Sequence, residues 1–267
     1  MADPNFNLIN GDIRNESQMK EQIAKHDILI PLAALVGAPL CNKDPIAAET
    51  VNLHAPMSMF KMASKSQPIL MPITNSAYGK GGAGNYCDET SPLHPISSYA
   101  KHKVEVEKVL MDRENSISFR LATVFGIAPR MRLDLLVNDF TYRAVNDNFI
   151  VLFEGHFRRN FIHVRDVVGA FMHGLDQFDT MKSQIYNVGL SEANLSKFGL
   201  CQVIKKHVPN FTIMEAPIGE DPDKRDYLVS NEKMEKSGWK PKHGLDVGIQ
   251  ELIKGYKMIK NSIFANV

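Results

Sequence analysis

The sequence has few cysteines, no long apolar run and no metal-ligand motif. Cys41, Cys87 and Cys201 are scattered without CxxC spacing, and an odd number does not suit a disulfide framework, so we expect a reducing, cytoplasmic location. No run of about 18 apolar residues occurs, which predicts that no helix spans a membrane. The polar start MADPNFNLINGD predicts no signal peptide.

Charge and histidine patterns exclude further classes of function. The chain has 31 Lys and Arg against 30 Asp and Glu, a net charge of +1, which does not favour nucleic-acid binding. Its nine histidines form no HExxH or similar spacing, so we predict no metal. With 267 residues the chain can form one large or two small domains, each with a substantial core.

Apolar runs alternate with helical segments along the chain. Short apolar runs predict buried strands at 5–10, 28–34, 68–74 and 116–126. Composition and periodicity predict helices at 16–26, 45–66, 97–113 and 131–147. Pro56 lies inside the second of these helices and predicts a kink there. This order predicts an α/β fold with a parallel sheet and right-handed crossovers.

One stretch, residues 68–103, carries a candidate catalytic group. Thr74 ends the strand at 68–74, and Tyr99 and Lys103 lie four residues apart at the start of the helix that follows. Residues at this spacing share one helix face. A neighbouring ammonium favours the phenolate, so we expect Lys103 to lower the pKa of Tyr99. Thr74 could then hold a substrate hydroxyl while Tyr99 takes or returns its proton. A YxxxK pair alone is a weak pattern.

The context of these residues resembles the NAD-dependent epimerase/dehydratase family of extended short-chain dehydrogenase/reductases. Thr74 precedes Tyr99 by 25 residues and is followed by a Tyr-Gly dipeptide, as in that family. Further similar segments occur in the family's order: the Gly-Asp at 11–12, the loop at 32–34, RLATVFG at 120–126, NFIHVRD at 160–166, YNVG at 186–189 and GWKP at 238–241. The resemblance implies that Thr74, Tyr99 and Lys103 are catalytic.

The same resemblance implies binding residues for NAD, with NADP not excluded, and for a nucleotide-diphosphate sugar. The implied cofactor-binding residues are Asp12, Ile13, Leu32, Ala33, Ala34, Asn52, Tyr99 and Lys103. The implied substrate-binding residues are Asn75, Ser76, Thr123, Arg130, Arg159 and Arg225. Guanidinium groups suit the paired phosphates of such a substrate, although Arg159 and Arg225 could equally be ordinary surface charges. The resemblance also implies a homodimer formed through the helices at 45–66 and 97–113.

The sequence departs from the family pattern near its start. The family's first strand, GxxGxxG turn and helix, which seat the NAD pyrophosphate, have no counterpart before Phe6. A literal GxGxxG at Gly79, Gly81 and Gly84 does not run into a helix, so we interpret it as a loop. The expected fold is thus an N-terminally truncated Rossmann-like parallel sheet with helices on both faces, plus a smaller C-terminal α+β substrate domain. We expect the first domain at 1–126, with 149–166 partly returning to it, and the second at 127–148 and 167–267.

The residues after Thr74 distinguish the family's reactions. The 4,6-dehydratases resemble one another in a Thr-Asp-Glu run, whereas this chain has Thr74-Asn75-Ser76, which supplies neither acid nor base. We therefore expect a nucleotide-sugar epimerase that oxidises a sugar hydroxyl transiently with NAD. Two alternatives remain: a nucleotide-sugar keto-reductase, and a truncated, catalytically incompetent member that binds a nucleotide sugar or a partner.

Overall fold

A computed structural model describes residues 3–81, 86–216 and 225–258. The α-helices in these ranges are α1 Glu16–Lys25, α2 Ala38–Lys43, α3 Pro45–Glu49, α4 Ala55–Met62, α5 Ser98–Met111, α6 Leu136–Asn146, α7 Val164–Asp176, α8 Phe178–Met181, α9 Lys197–His207, α10 Glu232–Lys236 and α11 Leu245–Met258. The strands are β1 Ile69–Thr74, β2 Tyr86–Cys87, β3 Ser116–Leu121, β4 Thr123–Phe125, β5 Phe149–Leu152, β6 Arg158–His163, β7 Gln184–Val188, β8 Asn194–Ser196, β9 Thr212–Glu215 and β10 Leu228–Val229.

The central sheet is parallel and is covered by helices on both faces. Its strands run in the order β1–β3–β7. Along β1, Ile69, Met71 and Ile73 join a core with residues of α1, α4 and α5, whereas Leu70 joins a core with residues of α7 and α10. Successive side chains of a strand point to opposite faces, so each face of the sheet buries its own set. The predicted α/β class with helices on both faces is confirmed.

The predicted strands nearest the amino terminus are wrong or incomplete. Residues 5–10 form no strand, and Phe6, Leu8 and Ile9 are 65%, 84% and 52% exposed. In the 28–34 run only Leu29 pairs, through a parallel bridge to Ile69. An apolar run becomes a strand only where a neighbouring strand pairs with its backbone N–H and C=O groups. Among the described residues, the run at 28–34 meets such a neighbour, β1, on one side only.

The helix predicted at 45–66 is present, with an irregularity before Pro56. The segment Thr50–His54 is π-helical and joins α3 to α4. Proline has no N–H to donate to the preceding turn, and the Ala55 N–H donates to the Thr50 carbonyl five residues back. The wider π-helical turn therefore accommodates Pro56 without ending the helix. In this turn the Asn52 side chain faces inward and is fully buried.

The strand predicted at 116–126 is two strands in two sheets. β3 belongs to the central sheet, and β4 pairs with β6 in a second sheet of order β4–β6–β8. Between them, the N–H of Ala122 donates to the Val188 carbonyl at 2.9 Å. A third core lies beyond this point, formed by residues from Phe125 to Tyr256. The helix predicted at 131–147 is shorter, since residues 131–135 precede α6. The domain boundaries stay a prediction.

The three cysteines are all buried, and none forms a disulfide with a described residue. Cys41 lies on α2, Cys87 on β2 and Cys201 on α9. Burial raises the pKa of the Cys41 and Cys201 thiols, the latter to about 12. Within the described ranges, no helix has the length and apolarity needed to cross a bilayer.

Candidate active site

Thr74 ends β1 and opens a tight turn. The Thr74 hydroxyl accepts a hydrogen bond from the Ser76 N–H at 3.1 Å and so caps the 3-10 helix Asn75–Tyr78. Its side chain is 8% exposed. In a parallel sheet, ligands bind beyond the carboxyl ends of the strands, which is where Thr74 lies.

Lys103 connects helix α5 to the same strand. The Ser97 hydroxyl caps α5 by accepting from the Ala100 N–H at 3.2 Å. The Lys103 ammonium, 3% exposed, donates to the Pro72 carbonyl at 3.2 Å, two residues before Thr74. Burial lowers the pKa of Lys103 to about 8. This bond places the Lys103 ammonium two residues from Thr74 along β1; a shared catalytic role for Thr74, Tyr99 and Lys103 stays a prediction.

The pKa of Tyr99 moves in the direction opposite to our prediction. Burial raises it to about 12, while the positive charges of Arg132 and Arg225 act to lower it. Lys103 is not among the causes of this shift; its ammonium donates to the Pro72 carbonyl instead. The correction is physical: sequence spacing places Lys103 on the right helix face but does not reveal how far the half-buried Tyr99 is desolvated.

Arg132, in sequence terms only a weaker candidate than Arg159 for phosphate binding, lies near Tyr99 in the structure. Its guanidinium pairs with Asp134 and donates to the Val36 carbonyl at 3.4 Å. It therefore connects the segment before α6 to the loop after Leu32–Ala34, close enough to Tyr99 to affect its pKa. The cluster Arg-Met-Arg at 130–132 was the signal available in the sequence.

Asn75 and Ser76 face different surroundings in the turn after Thr74. Asn75 is 1% exposed, yet neither atom of its amide has a hydrogen-bond partner among the described residues. The Ser76 hydroxyl accepts a hydrogen bond from the Arg225 guanidinium. A buried amide without a partner costs free energy unless a ligand satisfies it. Asn75 is thus a buried amide available to a ligand, and its role in substrate binding stays a prediction.

The remaining predicted substrate residues are spread around the site. Arg159 is 1% exposed; its guanidinium donates to the Arg158 and Arg225 carbonyls and lies 5.5 Å from the centre of the Tyr227 ring. It supports the backbone at Arg225. Thr123 is half-buried on β4, and Arg130 is exposed on a bend. For these residues, substrate binding stays a prediction.

Three of the predicted cofactor residues, Ile13, Leu32 and Ala33, line one groove. The groove has a volume of about 360 Å³. Asp12 is exposed beside it and pairs with Arg14 at 2.6 Å, which lowers the pKa of Asp12 to about 2. Because Leu29 runs parallel to β1, the residues after it lie at the same edge of the sheet as Thr74.

Asn52 holds the loop that borders this groove. Its amide oxygen accepts from the Leu35 N–H at 2.9 Å, and its amide nitrogen donates to the Leu35 carbonyl at 2.8 Å. The side chain therefore pairs with Leu35 as a neighbouring strand would. By holding the backbone of Leu35, Asn52 fixes the end of the loop at 32–34.

The arrangement fits a dinucleotide at its two ends. Lys103 bonds to the strand that Thr74 ends and so lies near the carboxyl edge of the sheet; binding of the nicotinamide end by Lys103 and Tyr99 stays a prediction. The open groove between Ile13 and Leu32 suits the adenine end. Of the literal GxGxxG, Gly84 lies outside the described residues, and Gly79 is enclosed by the His94 carbonyl, so this loop does not form a phosphate cradle at Gly79.

Comparisons with known proteins agree with this geometry. The chain is 26% identical over 270 residues to dTDP-D-glucose 4,6-dehydratase of Mus musculus, covering 95% of this chain and 74% of that protein. It is 26% identical over 267 residues to a putative UDP-glucose 4-epimerase of Methanocaldococcus jannaschii, covering 95% and 85%.

Solved structures share the fold. UDP-glucose 4-epimerase of Thermotoga maritima, solved with UDP-glucose, superposes with a TM-score of 0.81 at 21% identity, covering 94% of this chain and 84% of that one. UDP-glucuronic acid 4-epimerase of Bacillus cereus, solved with UDP-glucuronic acid and NAD, gives 0.84 at 18% identity, covering 97% and 83%. The family model described as NAD dependent epimerase/dehydratase matches residues 1–189. The chain belongs to the NAD-dependent epimerase/dehydratase family.

Proposed function

We propose that the chain is a nucleotide-sugar epimerase that oxidises a sugar hydroxyl transiently with NAD and reduces the resulting ketone on its other face. The observation that carries this proposal is Asn75, a buried amide without a partner directly after Thr74. An amide can donate to and accept from a sugar hydroxyl, but it cannot transfer a proton. An elimination would need an acid or a base there, so epimerisation is favoured over dehydration.

The side chains divide the chemistry between them. The Thr74 hydroxyl orients the reacting sugar hydroxyl, and the Tyr99 phenolate takes its proton while the carbon loses a hydride. Reduction reverses both transfers, and Tyr99 returns the proton. When bound, NAD supplies the hydride acceptor and donor and a positive charge that favours the phenolate. Lys103, which bonds to the strand that Thr74 ends, would hold the nicotinamide ribose.

The Tyr99 pKa sets a condition on this mechanism. At a pKa of about 12 in the free chain, Tyr99 is protonated at neutral pH. It serves as a base only when added positive charge lowers that pKa. Arg132 and Arg225 already act in this direction.

Calorimetric titration with NAD and a product assay test the proposal. Purified protein is titrated with NAD and then incubated with UDP-, GDP- and dTDP-sugars, and the products are assigned by NMR. We expect NAD binding and an epimerised sugar. A 4-keto-6-deoxy product would show a dehydratase, and a net keto-reduction with consumption of NADH would show a reductase. Binding of a nucleotide sugar without NAD binding or turnover would support the incompetent-member alternative.

A homodimer through the two long helical segments completes the proposal. The exposed side of α5 carries Lys101, Glu105 and Val109, and these residues would meet the partner. Sedimentation velocity measures the assembly, and Val109→Glu should shift it toward the monomer. An unchanged distribution would place the contact elsewhere.

A further inference from the structure

A buried ion pair connects the catalytic helix to the central sheet. Glu107 lies on α5, four residues after Lys103 and therefore on the same helix face. Its carboxylate accepts from the Arg120 guanidinium of β3 at 2.6 Å, and both side chains are 3% exposed. Arg120 Nε lies 3.1 and 3.0 Å from the two carboxylate oxygens, so the pairing fixes orientation as well as distance.

The same guanidinium reaches the turn after Thr74. Arg120 Nη1 donates to the Tyr78 hydroxyl at 3.0 Å, and Tyr78 ends the 3-10 helix that begins at Asn75. The Tyr78 hydroxyl has two acceptors for its single proton, the Asn187 amide oxygen at 2.7 Å and the Asp88 carbonyl at 2.9 Å. Burial raises the pKa of Tyr78, so the hydroxyl stays protonated and these bonds persist.

We propose that Arg120, Glu107 and Tyr78 form a positioning network that fixes the turn carrying Thr74 relative to the helix carrying Tyr99 and Lys103. The inference rests on the proposed roles of Thr74 and Tyr99. Neither the ion pair nor Tyr78 touches the reacting atoms. Each acts through the elements that carry the catalytic residues.

The geometry supports a role in positioning beyond stability. Replacing a buried ion pair by apolar residues is often neutral for stability. Stability alone therefore does not explain why Arg120 and Glu107 are present. A single guanidinium that binds both catalytic elements restricts their relative movement. Misplacement by about 1 Å can lower a rate by about 10²-fold.

The first test is Tyr78→Phe, which removes one hydroxyl and keeps the ion pair. We expect kcat to fall at least about tenfold with little change in KM, because substrate binding is retained while the reacting groups are misaligned. Glu107→Leu combined with Arg120→Met removes both charges together and should lower kcat further.

A matched control is Arg113→Met at the far end of the same helix. Arg113 donates to the Phe60 carbonyl at 3.0 Å and to the Ser64 carbonyl, so it also ties the region of α5 to the rest of the fold. Its loss should lower the melting temperature but leave kcat within about twofold. Equal effects of Arg113→Met and Tyr78→Phe on kcat would overturn the proposal.

A second readout does not depend on activity. The network holds α5 in contact with the central sheet, where the Lys103 ammonium is buried beside the Pro72 carbonyl of β1. Lys103 can be followed by NMR in protein produced with carbon-13-labelled lysine, which needs no chemical access to the buried ammonium. In Tyr78→Phe and in the double variant its pKa should rise from about 8 toward 10.5, and in Arg113→Met it should not. This titration tests the positioning network even if the wild type lacks epimerase activity. An unchanged Lys103 pKa in Tyr78→Phe, or in the double variant where it folds, overturns the network.

Discussion

The carboxyl end of β1 and the amino-terminal segment 3–33 border the same site but are built differently. Around β1, Thr74, Lys103 and the Arg120–Glu107 pair are buried and bonded to one another or to the backbone. In the amino-terminal segment, Ile28 and Ile30 make no backbone hydrogen bond to any described residue, and Leu29 alone joins the sheet. The catalytic side is thus preorganised, and the groove beside it is held mainly by α1 and by Asn52. The two sides should respond differently to substitution.

Tyr99→Phe should abolish most of the catalytic activity without affecting the groove at the amino-terminal segment. Removal of the acid/base hydroxyl should lower kcat by about 10²- to 10⁴-fold. Because Tyr99 makes no hydrogen bond to a described side chain, the fold and NAD binding should be retained. Steady-state kinetics and circular dichroism measure both effects. Retention of wild-type kcat would remove Tyr99 from the mechanism.

Lys103→Met should separate function from stability on the same side. The folded pKa of about 8 lies below the ordinary 10.5, so the unfolded chain binds more protons between those values. The stability of the wild type should therefore rise with pH across this window, by about 3 kcal/mol. Lys103→Met should lack this rise and be the more stable form at pH 7, while its activity is lost.

Urea unfolding at pH 7 and pH 10.5 measures the effect. Lys108→Met, an exposed position on the same helix, is the matched control and should parallel the wild type. If Lys103→Met also parallels the wild type, the lysine is not desolvated as described.

Asn52→Ala tests how the groove side is held. Loss of both bonds to Leu35 should lower the free energy of unfolding by about 1–3 kcal/mol and weaken NAD binding, because the loop at 32–34 loses its anchor. Thr50→Ala is the control, since the Thr50 hydroxyl donates only to the Ile46 and Ala47 carbonyls of its own helix. Calorimetry should show weaker NAD binding for Asn52→Ala alone. Equal NAD affinities of Asn52→Ala and Thr50→Ala would show that the loop at 32–34 keeps its position without Asn52.

Leu32→Ser should have the smallest effect on folding. Leu32 is 68% exposed, so the free energy of unfolding should change by less than about 0.5 kcal/mol. NAD should bind up to about tenfold more weakly if the adenine end covers this side chain. Leu40→Ser, also exposed but outside the groove lining, should bind as the wild type does. Identical affinities for both variants would place the cofactor elsewhere.

Local patterns predicted the catalytic side well. The apolar run before Thr74 and the serine cap before Tyr99 are complete within a few residues, so β1 and α5 were predicted almost to the residue. Residues 5–10 show the limit: their pattern suits a strand, but strand formation depends on a partner elsewhere in the chain. The break at Ala122 was missed for the same reason, because a continuous apolar run does not show where a chain passes between sheets.

The electrostatics of the site could not be predicted from spacing. The rise in the Tyr99 pKa depends on burial, which the Tyr-Lys spacing does not report. The Arg120–Glu107 pair did leave a signal, an arginine inside the apolar run SISFRLATVF and a glutamate on the helix face of Lys103. Their pairing, however, joins two elements whose packing only the structure shows.

The three buried cysteines give the molecule natural reporters of local opening. Cys41 lies next to the Leu35 loop, with its thiol donating to the Leu35 carbonyl at 3.3 Å, whereas Cys201 is fully buried in the core around α9. A buried, protonated thiol reacts with an alkylating reagent only when its surroundings open. Mass-resolved alkylation rates would therefore rank the opening free energies of separate parts of the unmodified protein, and added NAD would slow Cys41 selectively if it closes that loop.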